Sequence, residues 1–583
     1  MIKTLLSYVK QYKKASLLTP LFTGLEVLFE VLIPYVVASI IDKGIIPKDL
    51  HNVYYYGMIM VFLALCSLVC GVLAGRFAST ASTGFAANLR QAIFNKIQTF
   101  SFSNIDRFST AGLVTRITTD VTNVQNAYQM CLRIAVRSPL MLICSLTMCM
   151  IVSPKLSIIF FVAIIVLAIL LFLMISSAWS YFNEAFKSYD DLNLKVQENV
   201  TAIRVVKAYV RENYENEKFF KRTEKLKELF YKAESKILYI DPSFELAIYT
   251  SMILIAWFGA RSVVGGSITT GELTSMFTYI LSIFMSIIML SMVIVMIAMA
   301  FANAKRISEV LNEVPDIVNP ENPIYEVKDG SIEFNDVNFR YQKGSGDDTL
   351  KNINLSIKKG EMIGLIGSTA SGKSSLVSLI SRLYDVTSGS VKVGGVDVRD
   401  YDIETLRNEV AVVLQKNVLF SGSILDNISF GLDVSYDECV SASKVACADE
   451  FVSRMPDGYD TLISQGGTNV SGGQKQRLCI ARALVKRPKV LILDDSTSAV
   501  DTATDKKIRE SFRQNLKDTT KIIISQRISS VEDLDRIIVL NEGEINGFDT
   551  HENLLKNNAI YREIYETQTQ NTGDFDEKEG AHE

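Results

Sequence analysis

Eight consecutive residues, Gly367-Ser368-Thr369-Ala370-Ser371-Gly372-Lys373-Ser374, follow the apolar run Met362–Ile366 and precede a helical pattern over Ser375–Leu383. They match G-x-x-x-x-G-K-[ST] in the strand–loop–helix context that the motif needs. Gly367 and Gly372 let the backbone curl, so that successive N–H groups and the next helix N-terminus point at phosphate oxygens. Lys373 is placed to reach the β- and γ-phosphates, and the Ser374 hydroxyl to sit on Mg²⁺. The stretch predicts binding of a nucleoside triphosphate with Mg²⁺.

Other residues extend this chemistry. Ser331–Phe339 alternates like a half-buried strand and ends near Tyr341, an aromatic able to stack on an adenine ring. Gln415 closes the apolar strand Val410–Leu414, and Val490–Asp494 is a buried strand ending in a carboxylate, as Mg²⁺ coordination demands. Ser498–Asp501 follows closely, and Asp501 is counted among the nucleotide-binding residues. Between them, Val470-Ser-Gly-Gly-Gln-Lys-Gln-Arg477 opens a helix expected over Gln474–Val485. Ser471, Gly472, Gly473 and Gln474 at a helix N-terminus make a second anion site. The first loop already fills one such site, so the second is free to meet a phosphate held by another chain.

The elements that must carry these residues fall into two halves of the 583-residue chain. Long apolar runs dominate the first three hundred residues; Leu156–Ile175 has one polar residue, Ser157, over about the twenty that a membrane-spanning helix requires. Six spans are expected, at 17–41, 55–77, 129–152, 156–178, 243–264 and 273–301, the first of them retained rather than cleaved as a signal peptide. Loops after the odd-numbered spans are short, whereas the other side carries two long, Lys/Arg-rich helical segments near 79–128 and 179–240. The positive bias puts that side, both termini and the nucleotide-binding half in the cytoplasm. Two turns there, Ser103–Gly112 and Val206–Asn213, are candidates for touching a nucleotide domain. Pro315, Pro320 and Pro323 mark a linker over 313–329; the soluble domain spans 330–570, and 571–583 reads as a disordered acidic tail. A net charge of −4 gives no reason to expect a nucleic-acid partner. The eight cysteines show no C-x-x-C pair and read as reduced packing residues.

Charges inside the spans need partners, because an unpaired one is expensive there. Glu26 and Glu30 lie one turn apart in the first span, Arg133 and Arg137 share a face of the third, and Asp241 and Glu245 a face of the fifth. They either pair with one another or leave carboxylates facing a cavity that binds a cationic or polar cargo. Met285, Met289, Met292, Met296 and Met299 form one stripe of the sixth span. Such a stripe suits a cavity for varied substrates or lipid and core packing; copper(I) is a distant alternative with no Cys or His beside it.

Taken together, the phosphate loop, the Ser-Gly-Gly-Gln signature about a hundred residues on and the aspartate-ended strand resemble the ATP-binding cassette (ABC) family over nearly the whole chain. Six spans followed by one cassette is similar to a half-transporter of the bacterial multidrug-exporter type. The resemblance implies an α-helical membrane domain (1–312) of six transmembrane helices with long cytoplasmic extensions, followed by an α/β P-loop ATP-binding cassette, in a bacterial plasma (inner) membrane. It implies ATP and Mg²⁺ as cofactors, with Tyr341 on the adenine, Gly367–Ser375 on the phosphates, Gln415 on Mg²⁺ and in coupling, and Asp494 on Mg²⁺ through water. Ser471–Gln474 would clamp the γ-phosphate of ATP held by another cassette, and the two turns would be coupling elements.

The sequence departs from that pattern on one side. Family members that hydrolyse ATP carry a glutamate after the strand-ending aspartate as general base; here it is Asp495. A histidine position after the strand over Lys521–Ser525 holds Gln526, and Gln465 stands where relatives often have Glu. A carboxylate one methylene shorter falls about 1–1.5 Å short, which can cost about a hundredfold in rate. With the signature intact, these departures predict a heterodimer: this chain would hold ATP in a slow, degenerate site and lend its signature to a different, competent half. The expected function is ATP-driven export of hydrophobic or amphipathic compounds. Lipid, peptide or porphyrin export, or an ATP-gated regulator that moves nothing uphill, are the alternatives.

Overall fold

The computed structural model describes residues 1–341, 347–496 and 499–576. It divides into two compact units, one of Met1–Gln98 with Ala111–Asn312, the other of Thr99–Thr110 with the chain from Glu313 onward. Residues 99–110, counted with the membrane half in the sequence-based division at 312, fold with the second unit.

In the first unit, six helices are long and apolar enough to cross a membrane, and each contains one expected span. Their main segments are α1 (Lys13–Ile40), α2 (Leu50–Gln98), α4 (Val121–Val152), α5 (Pro154–Thr201), α8 (Ile240–Val264) and α9 (Thr270–Asn312), while α3 (Phe102–Phe108) lies in the second unit. At 49 and 48 residues, α2 and α5 are about 70 Å long, more than twice a hydrocarbon core. Pro154 opens α5 at its first turn, where a missing N–H costs nothing. The Val206–Asn213 turn is a short helix, α6 (Ile203–Ala208), followed by Val210 at a φ of 53° and α7 (Glu212–Ile237). Val205, Tyr209 and Val210 are exposed at this tip.

The intramembrane charges split. Glu26 is only 7% exposed and pairs with Arg137, which also donates to Glu30 at 2.6 Å. One guanidinium between two carboxylates answers the cost of burying them. Asp241, Glu245 and Arg133 have no ion-pair partner within 4.0 Å among the described residues, so the expected pairing holds for three of the six charges only.

The second unit packs helices around a six-stranded sheet whose order is β9-β8-β3-β7-β6-β5. These strands are β3 (Met362–Gly367), β5 (Val410–Val413), β6 (Val490–Asp494), β7 (Thr520–Ile524), β8 (Arg536–Asn541) and β9 (Glu544–Asp549). All neighbours are parallel except β8–β9. Strands β6 and β7 are buried at every residue and β3 at all but Gly367, because both faces of this parallel sheet are covered. A second, antiparallel sheet contains β1 (Ile332–Phe339), β2 (Leu350–Ile357) and β4 (Ser388–Val393). The short helix α3 (Phe102–Phe108) belongs to this unit, started by a Ser101/Asn104 capping box and ended at Ser109 with a φ of 54°. The last helix runs Ala559–Asp576, so residues 571–576 extend a helix rather than begin the expected tail, since adding turns to an existing helix is easier than nucleating one. Residues 577–583 lie outside the described residues.

Candidate nucleotide-binding site

The phosphate loop joins β3 to α10 (Lys373–Ile380). The helix starts two residues before the expected Ser375 and stops at Ile380 instead of Leu383, because Arg382 takes a φ of 51°. Both glycines are required by geometry. A Cβ on Gly367 would lie 2.1 Å from the Leu540 carbonyl oxygen, and Gly372, at a φ of 97°, would meet Leu350 at 2.8 Å. Ser368, Thr369 and Ala370 are exposed, with Ala370 itself at a φ of 64°, while Ser371 is buried and its N–H donates to the Ser368 carbonyl at 3.2 Å.

Lys373 Nζ donates to the carbonyls of Gly367 at 2.9 Å and Ser368 at 2.7 Å, which holds the ammonium over the loop. Burial pushes this ammonium below its ordinary range, against the nearby charges of Asp495 and Asp494. Ser374 Oγ donates to Asp494 Oδ1 at 3.0 Å, joining two of the three expected metal-binding groups across the β3–β6 layer. Asp494 is 7% exposed; burial raises its carboxyl above the usual range, Ser374 opposes this and the Asp495 charge adds to it. A hydroxyl, a carboxylate and the Gln415 amide oxygen are the hard oxygen donors that Mg²⁺ takes. Among the described residues no cluster of three or more His, Cys, Asp or Glu side chains forms, so a Mg²⁺ here would share these groups with nucleotide oxygens.

Tyr341 stands 47% exposed at the end of β1, its hydroxyl sharing a 2.7 Å hydrogen bond with Ser375 Oγ. Its ring meets Tyr384 edge-on, with centroids 5.1 Å apart. Tyr384 in turn donates to Asp106 of α3 at 2.9 Å and lies 6.0 Å from the Phe102 ring. Nothing in the sequence spacing of 102, 106, 341 and 384 announces this chain of contacts.

Asp495, where a general base is expected, takes a φ of 48° and is half-buried just after β6. Burial raises its carboxyl above the usual range, while the Gln415 side chain, Lys373 and Arg527 pull it back. Gln526 Nε2 lies 3.5 Å from Asp495 Oδ2, so Gln415, Asp495 and Gln526 meet beside the end of β6. Asp501 caps α12 (Thr502–Asn515) by accepting from Thr504 N–H at 2.9 Å, an assignment of its carboxylate to a helix end. Ser498 lies outside the described residues.

The signature forms the start of α11 (Gly472–Leu484), two residues earlier than expected, because Ser471 is the N-cap. Ser471 Oγ accepts from Gln474 N–H at 3.3 Å, and Gln474 Oε1 accepts from Ser471 N–H at 2.9 Å. This capping box draws the glycines into the first turn and leaves Ser471 and Gly472 exposed.

A P-loop, an aspartate-ended strand and an exposed helix-capping signature, on a chain with six membrane-length helices, define a nucleotide-driven membrane protein. Residues 17–288 match the model described as ABC transporter transmembrane region, and residues 350–498 the model described as ABC transporter. The chain is 36% identical to the uncharacterized ABC transporter ATP-binding protein YfiB of Bacillus subtilis, over 97% of this chain and 98% of that protein. It is 33% identical to the uncharacterized ABC transporter ATP-binding protein Rv1273c of Mycobacterium tuberculosis, over 98% of each. It is also 30% identical to the ATP-dependent lipid A-core flippase of Syntrophus aciditrophicus, over 92% of this chain and 89% of that protein. The chain belongs to the ABC transporter family: it is an exporter-type half-transporter, a multi-pass membrane protein with a cytoplasmic, ATP-binding domain.

Proposed function

We propose that this chain is the slowly hydrolysing half of a heterodimeric ABC exporter that moves hydrophobic or amphipathic compounds across a bacterial plasma membrane. The observation that carries the reading is Asp495, with Gln526 3.5 Å away where a histidine is expected. A carboxylate one methylene short, tied to two amides, is a weak aligner of water on a γ-phosphate. The exposed Ser471–Gly472 turn keeps the donors that a second cassette's nucleotide needs. The uncovered Val205, Tyr209 and Val210 suit a partner's nucleotide domain as their cover. In the working pump, Gly367–Ser375 hold the phosphates, Tyr341 supports the adenine, and Ser374, Gln415 and Asp494 hold Mg²⁺, which neutralises phosphate charge. Closure of two cassettes over nucleotide then turns the spans, and hydrolysis at the partner's competent site resets them.

The test is turnover by the purified full-length chain in lipid nanodiscs. Slow ATPase alone, restored by co-expression with a second half-transporter, supports the reading; brisk turnover by this chain alone overturns it. ATP-dependent accumulation of a dye in inside-out vesicles separates a pump from an ATP-gated regulator.

A further inference from the structure

We infer that the cavity between α4 and α9 binds amphipathic anions, with Arg133 as the headgroup anchor; this rests on the export reading and names its cargo class. The cavity measures about 940 Å³, within the usual range for a site that encloses a drug-sized ligand. One wall is polar: Asn126, Gln129, Arg133 and Arg137 follow one face of α4. The facing wall carries Met285, Met289 and Met296 of α9, three of the five methionines in the sixth-span stripe.

The charge on the walls is uneven. Glu30 is the lining carboxylate, and its Oε2 already accepts from Arg137. Glu26 also pairs with Arg137 but does not line the cavity. Thus two guanidiniums face one carboxylate, and the carboxylates are gathered on Arg137. Arg133 makes no hydrogen bond or ion pair among the described residues; its guanidinium rests near Gly75 of α2, where a Cβ would lie 3.6 Å from Nη1. Gln129 Oε1 accepts from Ser82 at 3.4 Å, and among the described residues neither its amide N–H groups nor those of Asn126 donate a hydrogen bond. Ser282 and Ser286 instead donate to carbonyls of their own helix.

The polar wall therefore offers Arg133 and the amides of Gln129 and Asn126, and the one charged group among them is a permanent cation. An isolated Arg in a span is costly, and an oxyanion accepting from Arg133, Gln129 and Asn126 relieves that cost. The methionines opposite accept a flexible alkyl or acyl chain without demanding one shape. A cationic amphipath would meet these donors and two guanidiniums, so the cavity disfavours it.

The experiment uses the full-length protein in nanodiscs and three fluorescent probes with the same alkyl chain, ending in phosphate, trimethylammonium or a neutral hydroxyl. The alkyl phosphate should bind about tenfold or more tightly than the ammonium, and Arg133→Gln should weaken it about tenfold while sparing the neutral probe. Arg133→Lys should retain most of the affinity. Met289→Trp, which fills the opposite wall with Arg133 intact, should exclude the alkyl phosphate. Inorganic phosphate at millimolar concentration should fail to compete; equal competition would mean a free-anion site and overturn the amphipath assignment. Ammonium binding as tight as phosphate, or indifference to Arg133→Gln, overturns the proposal outright. Flux in inside-out vesicles is scored separately. Headgroup-selective binding without ATP-dependent flux defeats export and keeps the site, whereas flux without headgroup selectivity does the reverse.

Discussion

Replacing Asp495 by glutamate is the most informative single change in this chain. Adding one methylene advances the carboxylate by about 1–1.5 Å, and misplacements of about 1 Å at a reacting centre can cost about a hundredfold. Asp495→Glu with Gln526→His should therefore raise hydrolysis about 100-fold, equivalent to about 2.7 kcal/mol of barrier. Because Ser471–Gln474 is intact in every copy, a self-paired double variant would contain complete composite sites, so the gain is readable without the natural partner. There is a competing structural reason for aspartate. Residue 495 sits at a φ of 48°, a region aspartate tolerates better than most side chains, so glutamate should cost up to about 1 kcal/mol of local stability. The assay is steady-state phosphate release from the purified chain in nanodiscs, with thermal unfolding as the stability control and Asp495→Asn as the charge control. A wild-type rate already within threefold of the double variant, with both proteins folded, would refute the argument from reach.

Lys373→Ala should reduce ATP affinity of the full chain about tenfold or more, measured with a fluorescent nucleotide, because it removes the ammonium held over the loop carbonyls of Gly367 and Ser368. Arg137→Ala should destabilise the membrane unit by about 3–5 kcal/mol, since it leaves Glu26 and Glu30 adjacent and uncompensated; thermal unfolding in detergent reads it, and no change would contradict the triad. Asp494 and Asp495 have carboxyls raised above the ordinary 3.8, so their contribution to stability is present below that value and is lost as pH rises through the raised values. Asp495→Asn should accordingly slow hydrogen exchange across 490–496 more at pH 7 than at pH 4, after correction for intrinsic exchange. Tyr384→Phe removes the bond to Asp106 but keeps the ring, so exchange over 99–110 should rise about fivefold for about 1 kcal/mol lost.

Most of the cassette was legible because its chemistry is local in sequence. The phosphate loop needs glycines at 367 and 372, and the structure places a carbonyl and a leucine where their side chains would be. The six spans were legible because about twenty apolar residues in a row have few other fates. Helix ends were less so. The signature helix begins at Gly472 because a serine–glutamine capping box recruits glycines that propensity alone assigns to a loop. The assignment of residues 99–110 was hidden for a different reason: a seven-residue helix inside a long polar segment has no hydropathy of its own. Its partners are Glu313 and Asp316, about two hundred residues on, and Tyr384, nearly three hundred away.

The split among intramembrane charges shows what pattern reading cannot divide. Glu26, Glu30, Arg133 and Arg137 are two acids and two bases at helical spacing, and spacing alone does not say which acid meets which base. The structure gathers both acids on Arg137, because Glu26 is buried against Gly71, where a Cβ would come within 3.2 Å of its carboxyl, while Arg133 lies one turn along beside Gly75. Two glycines four residues apart on α2 thus seat a carboxylate and a guanidinium at different levels of the same helix. A larger residue at 71 would press on Glu26 first and disturb the triad. At 75 the Arg133 contact is an ordinary 3.6 Å, so Gly75→Ala should leave stability nearly unchanged while Gly71→Leu lowers it. If both were equally tolerated, the seating of the acids would owe nothing to α2.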